Sequence, residues 1–173
     1  MNENFFDLFG LKPAFSLDLA ALEDQYRKIQ SAAHPDRFVT ASSAEKRKSM
    51  EVATLANEAY QTLKNPATRA QHLLTLNEIN ATQETNTSMP ADFLMQQMEW
   101  RETLEDAKAA KDIDRLDALA KEMRKTANTL NSELIILFDE KADLETATET
   151  TRKLIFIDKV CEDINKAITQ IED

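Results

Sequence analysis

An all-α fold is predicted by three features of the sequence. The chain holds a single glycine, Gly10, and four prolines, too few turn residues for a sheet protein. Hydrophobic residues make up 42% and charged residues 30%, rich in Ala, Leu, Glu and Lys and without β-branched runs. Apolar positions recur at three- and four-residue steps, the period of an amphipathic helix. At 173 residues there is room for a real core in one domain or two small ones.

The first module is expected over residues 1–76. Phe5, Phe6, Leu8 and Phe9 crowd a brief opening segment that stops at Gly10 and Pro13. Ser16 or Asp18 can cap the next helix, which carries Leu19, Leu22, Tyr26, Ile29 and Ala33 at helical spacing. His34-Pro35-Asp36 ends it, because proline pushes its predecessor out of the helical region and Asp favours turns. Ser42-x-x-Glu45 is a capping box that opens another helix, with Val52, Ala56, Ala59, Tyr60 and Leu63 inward. Asn65-Pro66 stops that helix and starts one bearing Ala70, Leu73 and Leu74.

Residues 77–90 read "NEINATQETNTSMP", a polar linker. Residues 91–173 are expected to form a three-helix bundle. Its first helix runs from about Ala91 to Ala110. The second carries Ile113, Leu116, Ala120, Met123, Ala127, Leu130, Leu134 and Leu137 inward. The third carries Leu144, Ala147, Leu154, Ile157, Cys161, Ile164, Ile168 and Ile171. Cys161 falls on that stripe and is expected to be a buried, inert thiol.

Charge divides unevenly between the modules. Residues 1–76 hold nine acidic and nine basic side chains, and residues 77–173 hold 22 and 12, so the whole net charge of −10 lies in the second part. Such asymmetry suggests modules with different partners, although part of the acidic excess is a solvated face. It argues against nucleic acid, which needs a cationic surface. No apolar run is long enough for a membrane span, and "MNENFFDLFG" lacks the basic start and apolar stretch of a signal peptide. A single cysteine excludes an internal disulfide and fits a reducing compartment. The expected location is the cytoplasm.

Catalytic chemistry finds little support. His34 has no Cys partner nearby, and His72 lacks the i+4 histidine of a metalloprotease helix. One Cys and two His make no zinc set, and one glycine builds no phosphate-cradling loop. Acidic pairs such as Glu105-Asp106 and Glu162-Asp163 are explained by solvated helix faces. His72 is expected to be a surface or packing residue. A binding protein without metal or cofactor is the expectation.

The segments "YRKIQSAAHPDRF" and "LANEAYQTLKNPATRA" together resemble a J-domain, with a helix, the HPD loop and a second helix in register. Over essentially the full length the chain resembles the HscB family, the J-domain co-chaperones of iron–sulfur cluster assembly. "FFDLFGL", "RAQHLL", "FLMQQMEWRE" and "RKLIFIDKV" carry that resemblance. The resemblance implies docking on a DnaK-type ATPase of the specialised HscA type. It makes His34, Pro35 and Asp36 the trigger of hydrolysis. Asp36 would pair with a chaperone arginine, Pro35 fix the turn, and His34 organise the loop and make contact. ATP belongs to the partner, and the implied client is the cluster scaffold of the IscU type.

The sequence departs from the J-domain pattern in places. Only Arg27 and Lys28 stand in the basic run before the loop, with Arg37 after it, so steering toward an acidic chaperone face should be weak and its salt dependence shallow. Ala33 stands where an aromatic is common, and His72 replaces a usual tyrosine. The cysteine-rich N-terminal extension of some eukaryotic relatives is not found in this sequence, so a bacterial form is expected.

The helix from Ala91 offers a second candidate site. At about 100° per residue, Phe93, Gln97, Trp100, Leu104 and Ala107 share the core side. Leu94, Met95 and Met98 land opposite with Glu102, flanked by Arg101, Glu105 and Asp106, with Glu99 near the rim. Phe156 and Val160 likewise lie off the stripe of the last helix. Apolar groups ringed by charge suggest a partner surface, and Met suits an adaptable one. Periodicity alone leaves open a broader packing stripe, or cover by the first module. The resemblance places scaffold binding here, on Leu94, Met95, Met98, Glu99, Arg101, Glu102, Asp106 and Phe156. A J-domain adaptor for a different client, or a structural helical protein with an accidental HPD turn, are the alternatives.

Overall fold

The computed structural model describes residues 3–83 and 89–173; among these every regular element is helical. The chain divides into two compact units, Met1–Glu78 and Ile79–Asp173.

The first unit contains α1 (Phe5–Leu8), α2 (Leu19–Ala32), a 3-10 turn (Pro35–Phe38), α3 (Ser43–Lys64) and α4 (Pro66–Leu76). Local chemistry sets these ends. The Asn4 side chain accepts from the Phe6 and Asp7 N–H groups at the start of α1. Gly10, at φ +66°, lets the chain reverse just after it. Asp18 rather than Ser16 caps α2, its Oδ1 accepting from Ala20 and Ala21 N–H at 3.0 and 3.2 Å. Ser42 Oγ accepts from Glu45 N–H at 3.2 Å, and Asn65 Oδ1 accepts from Ala67 N–H at 2.8 Å.

Helices α2 and α3 form an antiparallel hairpin. Tyr26 stacks on Tyr60 with centroids 4.2 Å apart, and the Tyr26 hydroxyl donates to Asn57 Oδ1 at 3.1 Å. One step toward the loop, Gln30 Nε2 donates to the Ala53 carbonyl at 3.1 Å. Phe6, Phe9, Phe15, Leu22, Ala56, Ala59, Leu63 and Leu74 form the core. Leu19 and Val52, expected inward, are exposed. Leu19 is the first residue of α2, where one turn has few neighbours. Val52 lines an open groove of about 410 Å³ with Ile29, Ala33, Phe38 and Ser49; the small Ala33 leaves that space unfilled.

His72 is a packing residue. It is buried, it stacks on Phe5 with centroids 4.5 Å apart, and its Nε2 accepts the Phe5 N–H at 3.1 Å. An accepting Nε2 puts the ring proton on Nδ1. Burial pushes its pKa below the ordinary 6.5.

The second unit holds α5 (Ala91–Ala109), α6 (Ile113–Leu134) continuing through a π-helical stretch (Ile135–Glu140), and α7 (Leu144–Glu172). Asp112 and Asp143 cap α6 and α7. Lys111 and Ala142 carry the two turns at φ +53° and +50°, left-handed positions that a chain with one glycine fills with other residues. The start of the expected linker is tied to this unit, since Arg152 Nε donates to the Ala81 carbonyl at 3.0 Å. Residues 84–88 of that linker lie outside the described residues.

Leu104, Leu116, Met123, Leu134, Leu154, Ile157 and Ile164 fill the core of the second unit. On α7 the buried set is shifted from expectation. Val160, expected off the stripe, is fully buried, whereas Cys161 is only half-buried. The reason is that α7 packs against α5 as well as α6, so its buried arc spans more than one stripe. The Cys161 thiol is pushed up by desolvation and by Asp158, which keeps it protonated and unreactive.

Candidate functional site

The turn that closes the α2–α3 hairpin is built from its own side chains. His34 is extended at φ −61°, ψ 136°, and Pro35 opens the 3-10 turn with a preset φ. His34 Nδ1 accepts the Asp36 N–H at 3.2 Å, so the ring caps the turn and carries its proton on Nε2. The Asp36 carboxylate approaches the same ring at 3.5 Å. Their side chains are 59% and 89% exposed, so a fixed loop presents an imidazole N–H and an open carboxylate to solvent. His34, Pro35, Asp36 and Arg37 border one shallow concavity with Gln30 and Ala53.

Of the expected cations, Arg27 and Lys28 lie one turn beyond acids on α2. Arg27 meets Glu23 at 2.7 Å and Lys28 meets Asp24 at 3.3 Å, both well exposed. The outer face of α2 is therefore close to neutral. Sequence reasoning missed the stronger cationic surface. Lys46, Arg47 and Lys48, in the first turns of α3, are exposed and form no ion pair among the described residues. Exposed Val39 and Met50 stand on the same side of the loop, around a hollow they share with Pro35, Phe38 and Lys46. The signal was present in "EKRKSM", a charge run directly after the capping box.

In the second unit the bundle leaves the apolar face of α5 open. Leu94, Met95 and Met98 are 46%, 64% and 72% exposed. Their core-facing counterparts Phe93, Trp100 and Leu104 are buried. Glu99, Glu102 and Asp106 are exposed along the same helix, and Asp106 sits near its C-terminal end. Phe156 is half-buried rather than free. It packs edge-on to Phe93 at 6.1 Å and parallel to Trp100 at 6.2 Å, an aromatic cluster joining α5 to α7. Arg101 lies over the Phe156 ring at 5.6 Å and donates to Asp163 Oδ2 at 2.8 Å. That contact holds the Asp163 carboxyl below the usual carboxylate range. Two predicted residues, Arg101 and Phe156, are thus brought together, along with Asp163, which the sequence suggested was part of a solvated acidic pair but which is 29% exposed and ion-paired.

No group of His, Cys, Asp and Glu capable of holding a metal ion occurs among the described residues. No described helix is long and apolar enough to cross a membrane.

A helical hairpin with an exposed His-Pro-Asp turn, followed by a helical bundle, defines a J-domain protein with a C-terminal helical domain. Comparison with known proteins narrows this. Residues 89–165 match the family described as the HSCB C-terminal oligomerisation domain. The chain is 46% identical to the co-chaperone protein HscB homolog of Burkholderia vietnamiensis, covering 99% of this chain and 98% of that protein. It is 47% identical to the homolog from Paraburkholderia xenovorans, over 100% and 98%. Among solved structures, chaperone HscB from Vibrio cholerae matches with a TM-score of 0.81 at 34% identity, over 98% of this chain and 99% of that one. Human co-chaperone protein HscB matches with a TM-score of 0.84 at 29% identity, over 94% and 81%. The chain belongs to the HscB family of co-chaperones.

Proposed function

We propose that this chain is the J-domain co-chaperone of an iron–sulfur cluster assembly system. Its second unit binds a cluster scaffold of the IscU type, and its HPD loop stimulates the ATPase of a DnaK-type chaperone of the HscA type. The observation that carries this reading is the pre-formed HPD turn, with the Asp36 carboxylate 89% exposed, in a chain that aligns end to end with HscB relatives. An exposed carboxylate on an ordered loop suits a charge-assisted contact with a partner arginine. The chaperone-binding residues are His34, Pro35, Asp36 and Arg37, with Arg27 and Lys28 as minor contributors because acids one turn earlier offset them. The client-binding residues are Leu94, Met95, Met98, Glu99, Arg101, Glu102, Asp106 and Phe156. The protein works in the cytoplasm.

The decisive measurement is steady-state ATPase stimulation of an HscA-type chaperone by Asp36→Asn and His34→Gln. Both positions are exposed, so circular dichroism should show unchanged helix content. Loss of a charge-assisted contact costs about 2–5 kcal/mol in the docked state, enough to reduce stimulation to background. Full stimulation by a folded Asp36→Asn protein refutes the trigger assignment.

A further inference from the structure

One ion pair in the second unit has no evident purpose in folding. Arg101 on α5 and Asp163 on α7 meet at 2.8 Å across 62 residues of sequence. Their side chains are 41% and 29% exposed, so water screens the pair and its contribution to stability is small. Its placement is specific. Asp163 stands about two helical turns beyond Phe156, on the same side of α7. The Arg101 guanidinium lies over that ring at 5.6 Å while one of its N–H groups reaches the carboxylate. On α5, Leu94 and Arg101 are likewise about two turns apart on one side, with Met98 between them. Arg101 therefore continues the open apolar face of α5 onto Phe156.

We propose that Asp163 is a positioning residue for client recognition: it fixes the Arg101 guanidinium over Phe156, so that Leu94, Met98, Arg101 and Phe156 meet an apolar client segment as one prearranged surface. This rests on the client-binding reading above. A free arginine samples many rotamers, and ordering it during association weakens binding; an arginine already held by Asp163 avoids that loss. A guanidinium has five N–H donors, so the bond to Asp163 leaves others for an acceptor on the client. Lys159 and Lys166 act on Asp163 in the same direction as Arg101, keeping it ionised through the neutral range.

Calorimetric titration of the full chain with a purified IscU-type scaffold tests this. Asp163→Asn should bind about three- to tenfold more weakly, the loss expected from one side chain that must order on binding. Asp163→Glu should recover most of it. Arg101→Ala and the Arg101→Ala/Asp163→Asn double variant should bind alike, because Asp163 acts through Arg101. Thermal unfolding of all four should stay close to the parent, which separates positioning from a merely structural role. Arg101→Lys, which keeps the charge and loses the planar fork, should resemble Asp163→Asn and serves as the second variant should Asp163→Asn be unstable. Unchanged affinity in Asp163→Asn overturns the proposal. So does tighter binding, which would show Asp163 competing with the client for Arg101, and so do additive losses in the double variant. A parent chain that does not bind the scaffold overturns the client reading itself, and the positioning role with it.

Discussion

Replacing Leu94, Met95 and Met98 together by alanine separates a client surface from a packing face. Their exposures of 46%, 64% and 72% mean that rather more than one whole side chain of the three is already buried within the protein. At about 1.5–3 kcal/mol per fully buried large apolar side chain, the folding cost is about 2–3.5 kcal/mol, reduced by the better helix propensity of alanine. Three truly buried residues would cost about 2–5 kcal/mol each and leave a bundle that barely folds. The exposed remainder, a little under two side chains, is what a client can cover. If only half of it is covered, about 1.4–2.7 kcal/mol of binding is lost, which is tenfold or more in affinity. Urea denaturation gives the first quantity, and calorimetric titration with an IscU-type scaffold gives the second. Basal ATPase stimulation should remain, since the HPD loop lies in the other unit, while the added effect of client should fall. A stable triple variant with parental affinity refutes the reasoning, as does a loss of more than about 6 kcal/mol of stability.

Stability should also depend on His72. The folded protein holds its imidazole neutral, below the ordinary 6.5, so the unfolded chain takes up a proton first as pH falls. Stability therefore drops as pH falls below 6.5 and levels off once the folded form protonates too. His72→Phe should lose about 1–3 kcal/mol at pH 8 by leaving the Phe5 N–H without its acceptor, yet flatten that acid limb in denaturation curves. On α7, Val160→Ala should cost about 2 kcal/mol and Cys161→Ala well under half of that, an order that a Cys161-centred core would reverse. Reversing Lys46 and Lys48 to Glu should lower ATPase stimulation several-fold at low ionic strength and less at high salt. Equal loss at all salt concentrations would argue that these lysines act by something other than steering.

What could be read from the sequence was largely local. Asp18, Ser42 and Asn65 cap helices because their short polar side chains reach the next free amides, a property of three or four consecutive residues. Helical period put Leu94, Met95 and Met98 opposite the core stripe of α5 but left a broader packing stripe open, and their exposure in the structure decides between the two. Most errors arose where a second element decides the outcome. Val160 and Cys161 are adjacent on α7, and only the direction of α5 settles which of them is enclosed. Arg101 and Asp163 are too distant in sequence for any pattern to pair them. Arg27 and Lys28 were read as a cationic surface without their i−4 acids, although Glu23 and Asp24 stand in the same line of sequence.

The ring of His34 does two things at once, and they cannot be removed separately by one substitution. It faces solvent through Nε2, and through Nδ1 it holds the Asp36 N–H that shapes the turn. A variant at position 34 therefore changes both what the loop displays and how narrowly the loop is distributed among conformations. Asp36→Asn keeps the backbone N–H that Nδ1 accepts, and alters the display and the side-chain approach to the ring at 3.5 Å. The gap in docking affinity between the two variants, read by titration because neither stimulates hydrolysis, reports loop disorder in the currency of conformational entropy. It should widen on warming, because an entropic loss grows with temperature while a lost contact need not.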